Sequence, residues 1–445
     1  MKKLYIKTHG CQMNFYDSEK MVDLLKPLGY ELHNDGDDAD IIVLNTCHIR
    51  EKAVEKTYSE LGRIRDQANL RKEKTGKKTI IAVAGCVAQA EGDQIMKRSP
   101  WVDIVVGPQS YQNLPELISK VDPIEKNKLI SIDFPVIPKF DQLKSKITQR
   151  GPSAFLTIQE GCDKFCSFCV VPYTRGSEYS RSINSIIDEA KKLIDAGVKE
   201  ITLLGQNVNA WSSKGKDGKV WRLGSLIKEL AKINELQFIR YTTSHPLDMD
   251  LELIEVHRDI EKLMPYLHLP LQSGSDNILK LMNRKHKVND YLNIIEKVRS
   301  YIPNIAISGD FIIGFPGETD KDHDATIKII KEVKFSQAYS FKYSVRPGTP
   351  AAVFFNQVDE QIKSSRLQEV QNILREQQFE FNKKSINSVI KVLVLKNGKK
   401  VNQYLGRSPH NQSVYFNHEK ENLIGSIINV KVSEAFQNSI SGSIV

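Results

Sequence analysis

Cysteine is scarce in this chain, with six residues in 445, and no apolar run is long enough for a membrane span. Such a span needs roughly 18 consecutive apolar residues, so we expect no membrane partner. The N-terminal stretch MKKLYIKTHG is basic but lacks the apolar core and cleavage site of a signal peptide. So few cysteines without an export signal argue against a disulfide scaffold and indicate reduced thiols in the cytoplasm.

The excess of positive charge is small, with 63 Lys and Arg against 54 Asp and Glu, or a formal net charge of +9. Charged residues make up 26% and hydrophobic residues 40%, which is typical of a globular protein. A chain of this length should form two or three domains, each with its own core. The net charge alone is only a weak indication of a nucleic-acid partner.

Residues 1–121 alternate between apolar strands and amphipathic helices. Strands are predicted at 3–11, 39–47, 78–86 and 102–107. Helices are predicted at 18–30, at 49–68, from the third strand to Met96, and at 111–121. This alternation indicates βαβ units and a parallel sheet covered on both faces.

Three of these predicted strands end in cysteine, at Cys11, Cys47 and Cys86. Ligands of open parallel sheets bind beyond the carboxyl ends of the strands, so the three thiols can converge. Each cysteine could instead be a small buried apolar residue, as free cysteines often are. Three matched positions, two of them preceded by glycine, favour a three-thiol site.

Residues 122–150 show no clear periodicity and contain several prolines, so we interpret them as a linker with one short strand at 129–134. The alternation then resumes. Strands are predicted at 154–160, 198–205, 237–244, 266–273, 305–315 and 337–344, with helices at 182–196, 223–233, 250–262, 276–300 and 320–334. Six βα units with short turns predict a partial or full parallel barrel.

After a long predicted helix at 359–384, the last residues read as short strands and turns without a helix. This pattern predicts a small β-barrel of OB-fold type at 381–445. The segment carries nine Lys and Arg and three Asp and Glu, so 9 − 3 = +6 of the net charge lies here. A solvated basic face is one explanation, but Tyr404, Tyr415 and Phe416 among the lysines favour RNA binding.

A second group of three cysteines lies where the strand at 154–160 ends, in GCDKFCSFCVVPYTRG. Cys162, Cys166 and Cys169 form a C-x3-C-x2-C array. Thiolates bind soft metals such as zinc, copper or iron–sulfur clusters. A structural zinc site needs a fourth ligand, which only a distant residue such as His245 or His268 could supply. A ferredoxin-type [4Fe–4S] cluster takes four cysteines, so three would leave one iron open for catalysis.

The C-x3-C-x2-C array resembles that of radical S-adenosylmethionine enzymes, and the whole chain resembles the methylthiotransferases of that superfamily. The matching stretches are KTHGCQMNFYDSEKM, LNTCHIREKAVEK, AGCVAQAEG, GCDKFCSFCVVPYTRGSE, LLGQNVNAW, TTSHP, HLPLQSGSD, GDFIIGFPGET and SVRPGTPAA. The resemblance implies an α/β multidomain protein. Its parts are an N-terminal parallel-sheet domain at 1–121, a linker at 122–150, a partial (β/α)6 radical core at 151–380 and a TRAM-like barrel at 381–445.

The resemblance also implies the cofactors and their ligands. Cys162, Cys166 and Cys169 would hold a [4Fe–4S] cluster whose open iron chelates S-adenosylmethionine, and these cysteines are the catalytic candidates through that cluster. Cys11, Cys47 and Cys86 would hold an auxiliary [4Fe–4S] cluster that carries the transferred sulfur. The candidates for binding S-adenosylmethionine are Gly205, Gln206, Asn207, Ser273, Gly274, Ser275 and Asp310. The aromatic residues expected to shield the radical cluster are Phe165, Phe168 and Tyr173.

Within the family, the CQMN and TC-x-IR segments resemble those of the enzymes that methylthiolate C2 of N6-dimethylallyladenosine, just 3′ of the tRNA anticodon. Bases in RNA loops can be splayed out and read, and a basic barrel supplies phosphate contacts. The alternatives are a sister enzyme acting on threonylcarbamoyl-adenosine or a ribosomal protein aspartate, and a non-catalytic cluster-bearing RNA-binding protein. We expect a cytoplasmic monomer, an electron donor of flavodoxin or ferredoxin type, and a separate sulfur donor.

Overall fold

The structure is a computed structural model that describes residues 1–47, 53–122, 127–135, 138–143, 147, 151–215, 218–419 and 422–445. These residues divide into two compact units. The first unit comprises Met1–Thr148, Glu160–Asp163 and Val170–Tyr179, and the second comprises Gln149–Gln159, Lys164–Cys169 and Ser180–Val445. The division into four segments stays a prediction. Among the described residues, no helix has the length and apolar character needed to cross a membrane.

The first unit contains a six-stranded parallel sheet with the order β2-β1-β3-β4-β5-β6. Its strands are β1 Lys2–Thr8, β2 Tyr30–Leu32, β3 Ile41–Thr46, β4 Ile80–Gly85, β5 Ile104–Val106 and β6 Leu129–Ser131. Its helices are α1 Gln12–Leu25, α2 Ala53–Thr75, α3 Cys86–Glu91, α4 Asp93–Arg98, α5 Leu114–Ser119 and α6 Lys139–Gln142, with 3-10 turns at Lys26–Leu28 and Tyr111–Asn113. The predicted parallel sheet is confirmed.

Both faces of this sheet are buried, as the continuous apolar sequences of its strands predict. On one face, Ile41 and Val43 pack with Leu25 of α1 and Leu114 of α5. On the other face, residues such as Ile42 pack with side chains of α2 and α4. All six residues of β3 are buried, so this strand forms the centre of the unit.

Several element boundaries in this unit differ from the prediction. Helix α1 begins at Gln12, because the chain turns into it directly after β1, whereas the amphipathic pattern was clear only from residue 18. Gly92 splits the predicted third helix into α3 and α4. The three-residue strand β2 is too short to show a periodicity. Residues 49–52 of the helix predicted at 49–68 lie outside the described part of the chain.

Six parallel strands of the next segment form two three-stranded sheets, β13-β10-β7 and β14-β15-β16. A parallel bridge between Ile239 and Leu263 links the strand β13 to the chain just before β14. The strands from here on are β7 Ser153–Thr157, β8 Gln159–Glu160, β9 Tyr179–Ser180, β10 Glu200–Leu204, β11 Ser212–Lys214, β12 Val220–Arg222, β13 Phe238–Tyr241, β14 Tyr266–His268, β15 Ala306–Ile313 and β16 Gln337–Lys342. Six parallel strands in chain order confirm the partial (β/α)6 barrel.

The helices that follow these strands agree closely with the predicted ranges, although the helix predicted at 276–300 is two helices. They are α7 Val171–Thr174, α8 Ile183–Asp195, α9 Leu223–Ala231, α10 Leu251–Asp259, α11 Asp276–Leu281, α12 Val288–Tyr301, α13 Asp320–Val333 and α14 Glu360–Lys383, with 3-10 turns at Val208–Ala210, Pro246–Asp248 and Pro350–Val353. Asn283 has a φ of 58°, which ends α11 and separates it from α12. The antiparallel hairpin of β11 and β12 was not predicted.

The C-terminal residues form a closed five-stranded barrel with the order β17-β18-β19-β21-β20, as predicted. Its strands are β17 Val389–Asn397, β18 Gln403–Arg407, β19 Ser413–Asn417, β20 Ile427–Ala435 and β21 Ser439–Ile444. Tyr404 and Phe416 are buried in its core, with ring centroids 5.7 Å apart and nearly parallel planes. Their interpretation as RNA contacts is therefore wrong, because neither ring has a face free to stack on a base.

Candidate functional site

The three strand-end cysteines of the first unit lie at the carboxyl ends of adjacent strands. Cys11 follows β1 at the N-cap of α1, Cys47 follows β3, and Cys86 follows β4 as the first residue of α3. Since β1, β3 and β4 are neighbours in the sheet, these thiols meet at one edge. The Cys47 thiol lies within hydrogen-bonding reach of those of both Cys11 and Cys86, and none of the three is in a disulfide.

Glycine precedes two of these cysteines because nothing larger fits there. Gly10 has a φ of +130°, and a Cβ atom on it would lie 2.3 Å from the Cβ of Cys47. Gly85 has a φ of +90°, and its Cβ would lie 2.4 Å from the carbonyl oxygen of Thr46. Both backbone conformations are strained for any residue with a side chain. The two glycines thus bring the cysteine-bearing segments into close contact.

Two of the thiols are acidic and the third is not. Hydrogen bonding from Cys47 is the main cause that lowers the pKa of Cys86 to about 6 and that of Cys11 to about 7, against burial, with further lowering by Arg175. The same hydrogen bonds, to Cys11 and Cys86, raise the pKa of the Cys47 thiol well above its ordinary value. Thiolates are the form that binds soft metals, so this edge of the sheet suits a metal group.

Two buried asparagines hold the segment of Cys11 in place. The Cys11 thiol donates to Oδ1 of Asn14 at 3.2 Å. The amide nitrogen of Asn14 donates to Oδ1 of Asn45 and to the carbonyl oxygen of Thr46, each at 3.1 Å. Asn45 in turn donates to the carbonyl oxygen of Asn14 at 2.8 Å. This amide network fixes the position of Cys11 relative to the segment that ends in Cys47.

Four buried charged residues of the first unit lie next to this site and were not predicted. We refer to Asp17, Lys139, Glu160 and Arg175 as the charge ring, because each cation bridges both carboxylates. Their side chains are at most 2% exposed. Asp17 and Arg175 lie in stretches that carry the family resemblance, which is the one signal that could have identified them. Lys139 comes from the segment predicted to be a linker.

The three cysteines of the second group do not all belong to the same unit. Cys162 belongs to the first unit, where its backbone nitrogen donates to the carbonyl oxygen of Gly176 at 3.2 Å. Cys166 and Cys169 belong to the second unit, where the backbone nitrogen of Cys169 donates to the carbonyl oxygen of Cys166 at 3.0 Å. None of these three cysteines is in a disulfide, and all three are partly exposed.

Residues after helix α11 hold the loop of Cys166. Nη1 of Arg284 lies 3.8 Å from the sulfur of Cys166, and Nη2 donates to the carbonyl oxygen of Pro270 at 2.7 Å. The amide of Asn283 donates to the carbonyl oxygen of Phe165 at 2.8 Å. Phe165 itself has a φ of +48° and is about half exposed. Arg284 was not predicted, because nothing near it in the sequence indicates a contact with a cysteine 118 positions earlier.

The aromatic residues expected to shield the radical cluster differ in their surroundings. Phe168 packs edge-on against Phe315, with ring centroids 6.4 Å apart. Phe165 and Tyr173 are each about half exposed. Their shielding role stays a prediction.

The three strand-end cysteines have donor chemistry that fits an iron–sulfur cluster. In a [4Fe–4S] cluster each cysteine binds a different iron, so three thiols spread over one edge suit it. The free, acidic thiols of Cys11 and Cys86 supply the donor chemistry that such a cluster requires.

The predicted S-adenosylmethionine contacts after β10 lie in a tightly packed turn. A Cβ atom on Gly205 would lie 2.6 Å from Oε1 of Gln159, and that oxygen accepts from the backbone nitrogen of Asn207 at 3.1 Å. The side-chain amide of Asn207 donates to Asp248 at 2.8 Å, while its buried Oδ1 has no partner among the described residues. Gln206 is only partly buried. A role for these residues in binding S-adenosylmethionine stays a prediction.

The remaining candidates are largely engaged in packing. Gly274 lies against α13, where its backbone nitrogen donates to Oγ1 of Thr326 at 2.9 Å, and Ser273 lies beside the same hydroxyl. Ser275 caps α11 and bonds to Asp322. Asp310 on β15 lies 3.4 Å from Nε2 of His268 and is partly exposed. Binding of S-adenosylmethionine by these four residues stays a prediction.

Two histidines near Arg284 were not predicted to belong together. The rings of His245 and His286 lie edge to face, with centroids 5.5 Å apart. Burial is the main cause that lowers the pKa of His245 to about 2 and that of His286 to about 4. Both imidazoles are therefore neutral at pH 7, and both ring nitrogens of His286 lack a partner in the described structure.

Two family models match separate parts of the chain, one in the N-terminal parallel-sheet segment and the other in the parallel-barrel segment. The description "uncharacterized protein family UPF0004" matches residues 3–107, and the radical SAM superfamily matches residues 156–330. Among solved structures, the radical S-adenosylmethionine methyltransferase TsrM from Kitasatospora setae, with cobalamin and a [4Fe–4S] cluster bound, has a TM-score of 0.58 at 14% identity. The match covers 79% of this chain and 77% of that one, which shows a shared fold.

Full-length relatives are far more similar in sequence. A protein from Rickettsia felis is 55% identical over 444 residues, covering 100% of both chains, and one from Rickettsia bellii is 56% identical over 443 residues, covering 100% of this chain and 99% of the other. Both carry the name tRNA-2-methylthio-N(6)-dimethylallyladenosine synthase. The matched lengths include both cysteine groups and the C-terminal barrel. The chain thus belongs to the family of tRNA-2-methylthio-N(6)-dimethylallyladenosine synthases.

Proposed function

We propose that this protein is a radical S-adenosylmethionine transferase that adds a methylthio group to C2 of N6-dimethylallyladenosine in tRNA, just 3′ of the anticodon. The observation that carries the proposal is the meeting of Cys11, Cys47 and Cys86 at one sheet edge, in a chain with a second three-cysteine loop. That loop alone would provide for the radical chemistry. A second three-thiol site therefore supports a reaction that also transfers sulfur.

Each group of cysteines has a separate role in this proposal. Cys162, Cys166 and Cys169 would hold the [4Fe–4S] cluster that binds S-adenosylmethionine, and Cys11, Cys47 and Cys86 would hold the second cluster. When bound, these cofactors supply the methyl group, the sulfur and the radical chemistry that an unreactive aromatic carbon requires. The protein positions them. Arg284 fixes the loop of Cys166, and the amides of Asn14 and Asn45 fix the segment of Cys11.

The tRNA would be bound partly through the basic C-terminal barrel. Its excess of six positive charges provides phosphate contacts, which make binding salt-dependent. Three of its lysines, Lys396, Lys399 and Lys400, lie exposed in or after the last residues of β17. A basic surface suits a polyanion and disfavours a basic ribosomal protein as the substrate.

The working environment of the enzyme follows from its cofactors. Iron–sulfur clusters and free thiols need a reducing compartment, so we propose that the protein acts in the cytoplasm. We also propose that it is a monomer. An electron donor of flavodoxin or ferredoxin type and a separate sulfur donor complete the system.

Mass spectrometry of tRNA nucleosides tests the substrate. In a strain that lacks the gene, 2-methylthio-N6-dimethylallyladenosine should disappear and N6-dimethylallyladenosine should accumulate. The wild-type gene should restore the product, whereas Cys166→Ala and Cys86→Ala should not. A variant altered at an exposed lysine of α2, Lys72→Gln, serves as the control that restores it.

Iron analysis tests the cluster assignment independently. The reconstituted protein should contain about eight irons per chain, for two [4Fe–4S] clusters. Cys166→Ala should retain about half of them and lose reductive cleavage of S-adenosylmethionine. An unchanged level of the methylthiolated nucleoside in the deletion strain would refute the substrate, and cleavage that survives Cys166→Ala would refute the radical site.

A further inference from the structure

The charge ring is a closed set of alternating charges inside the first unit. Nζ of Lys139 lies 2.7 Å from Glu160 and 3.4 Å from Asp17. The guanidinium of Arg175 donates to Glu160 at 2.8 Å and to Asp17 at 2.7 Å. Two cations and two anions give the ring no net charge.

Three members of the ring are held by further contacts from different segments. Nζ of Lys139 also donates to the carbonyl oxygen of Pro108 at 2.8 Å and lies 4.6 Å from the ring centroid of Tyr111. The amide of Gln109 donates both to Glu160 and to the carbonyl oxygen of Arg175, each at 3.0 Å. These contacts fix the orientation of the guanidinium, because Arg175 is tied at both its side chain and its backbone.

The same guanidinium faces the three-cysteine edge. Arg175 directly follows α7, and α7 packs against α3, the helix that begins with Cys86. Asp17 lies on α1, which begins next to Cys11. Arg175 lies close enough to Cys86 and Cys11 to lower the pKa of both thiols. The ring therefore presents one of its two cations to the sulfur atoms.

A purely structural role explains this arrangement poorly. Burying four charges costs several kcal/mol per ion, and well-packed apolar residues often give equal or greater stability. A guanidinium keeps its charge at every accessible pH and donates in a fixed plane. It can therefore satisfy two carboxylates through one rigid fork and still point a donor at a sulfur atom, whereas the three donors of a lysine diverge from a single nitrogen.

We propose that Arg175 is a positioning residue of the three-cysteine site, held by the charge ring so that its positive charge stabilises the more negative state of the group bound to Cys11, Cys47 and Cys86. This inference rests on the proposed function, which assigns a cluster to those cysteines. It goes beyond that function by giving Arg175 a direct electrostatic effect on this cluster. A ring that acted only through its net charge would have no such residue-specific effect.

The test uses the full-length chain with Cys162, Cys166 and Cys169 all replaced by alanine, so that only the second cluster can assemble. Its midpoint potential is measured by redox titration followed by electron paramagnetic resonance. Arg175→Met should lower the equilibrium constant for one-electron reduction by at least about tenfold, or 59 mV, because the nearby positive charge is gone. Asp17→Asn should raise the potential, by a smaller amount than Arg175→Met lowers it, since Asp17 lies behind the guanidinium.

The double variant Asp17→Asn/Arg175→Met distinguishes a direct effect of Arg175 from an effect of the net charge of the ring. It restores a ring without net charge, since Lys139 and Glu160 remain. A potential that stays low in the double variant supports a direct effect of Arg175. A return to the value of the parent chain, or no shift in Arg175→Met, overturns the proposal.

Iron content and circular dichroism accompany every variant. If Arg175→Met takes up no iron, Arg175→Gln decides, because it removes the charge but keeps a hydrogen-bond donor. Its potential should lie below that of the parent chain, and an equal value overturns the proposal. If the parent chain itself binds no cluster with Arg175 intact, the proposed function fails instead, so the two failures are distinguishable.

Discussion

Gly10 and Gly85 show how single residues determine whether the three thiols can meet. Both lie at strand ends with positive φ, and in both cases a Cβ atom would overlap a neighbouring cysteine-bearing segment. The sequence shows the two glycines before Cys11 and Cys86 but not what they approach. Only the structure shows that Gly10 contacts Cys47, which comes 37 positions later in the chain.

Gly10→Ala should disrupt the three-cysteine site and leave the radical loop intact. Its Cβ would lie 2.3 Å from the Cβ of Cys47, so the two segments must separate. We expect the iron content to fall by about half, from two [4Fe–4S] clusters to one, while cleavage of S-adenosylmethionine persists.

Gly29→Ala is the matched control for this variant. Gly29 also has a positive φ, of +82°, but no atom lies within 4 Å of its Cβ position. It should therefore lose only about 1–2 kcal/mol of stability through backbone strain and keep its full iron content. Equal iron loss in both variants would show that backbone strain alone, and not the contact with Cys47, disturbs the site.

At the scale of single residues, the sequence predicts the chemistry of a side chain better than the residues that surround it in the fold. The cysteines were identified by residue type and spacing, which are local properties. Tyr404 and Phe416 were misinterpreted, because an alternating strand pattern does not tell which of its faces a closed barrel buries. Arg284 and the charge ring were missed, since each depends on contacts between residues distant in the chain.

Among the elements, strand β10 has a central position in the second unit. It pairs with both β7 and β13, and Glu200 at its start binds arginines from two other strands. Arg240 of β13 donates to it at 2.7 Å, and Arg407 of β18 in the C-terminal barrel bonds to its other oxygen. The carboxylate is fully buried, so one strand of the parallel barrel helps to hold the C-terminal barrel.

Glu200→Gln should destabilise the second unit, by about 3 kcal/mol at pH 7, because it leaves two arginines without their buried partner. Burial raises the pKa of Glu200, but Arg240 and Arg407 outweigh it, and the net pKa is lowered. The contribution of the carboxylate is therefore complete above the ordinary pKa of glutamate and is lost as the pH falls through the lowered value. Urea denaturation at several pH values measures this dependence.

Glu261→Gln is the matched control, because Glu261 also bonds to the C-terminal barrel, through Lys391 at 3.3 Å, but is 91% exposed. Exposed ion pairs contribute little, so this variant should unfold like the wild type at each pH. If the difference between Glu200→Gln and the wild type persists unchanged at acidic pH, the ionised carboxylate is not its cause.

Element types were predicted well and element ends less so. The six parallel strands of the second unit were predicted because buried strands and amphipathic helices have different periods over long stretches. Helix α1 starts six residues before its predicted start, and the hairpin of β11 and β12 was missed. Both involve segments where the packing of the whole unit, and not a local pattern, determines the backbone conformation.

At the scale of the whole molecule, the expectation of RNA binding rests on where the positive charges lie in the chain. Six of the nine excess positive charges lie in residues 381–445. Lys399 and Lys400 are exposed in the connection between β17 and β18, where long side chains can reach phosphates. Their contribution should be seen mainly in the salt dependence of binding.

Lys399→Gln/Lys400→Gln should weaken tRNA binding and lower the slope of log K against log salt by roughly 1 to 2, because each lost phosphate contact releases fewer counterions. Filter binding over a range of salt concentrations measures this slope. Lys72→Gln/Lys74→Gln changes the net charge equally at exposed positions of α2 and should leave the slope unchanged. Equal slopes in the two double variants would argue against specific contacts by the barrel.

The sequence by itself determined the two groups of three cysteines, the parallel α/β architecture, the closed C-terminal barrel and the family. Each of these depends on residue type, spacing or periodicity, which are properties of short stretches. The tertiary structure alone decided that Arg175 lies against Cys86, that Lys139 of the predicted linker closes the charge ring, and that Tyr404 and Phe416 are core residues. These facts depend on which distant segments pack together, because burial and electrostatic contact arise only when the folded chain brings such segments within a few ångströms.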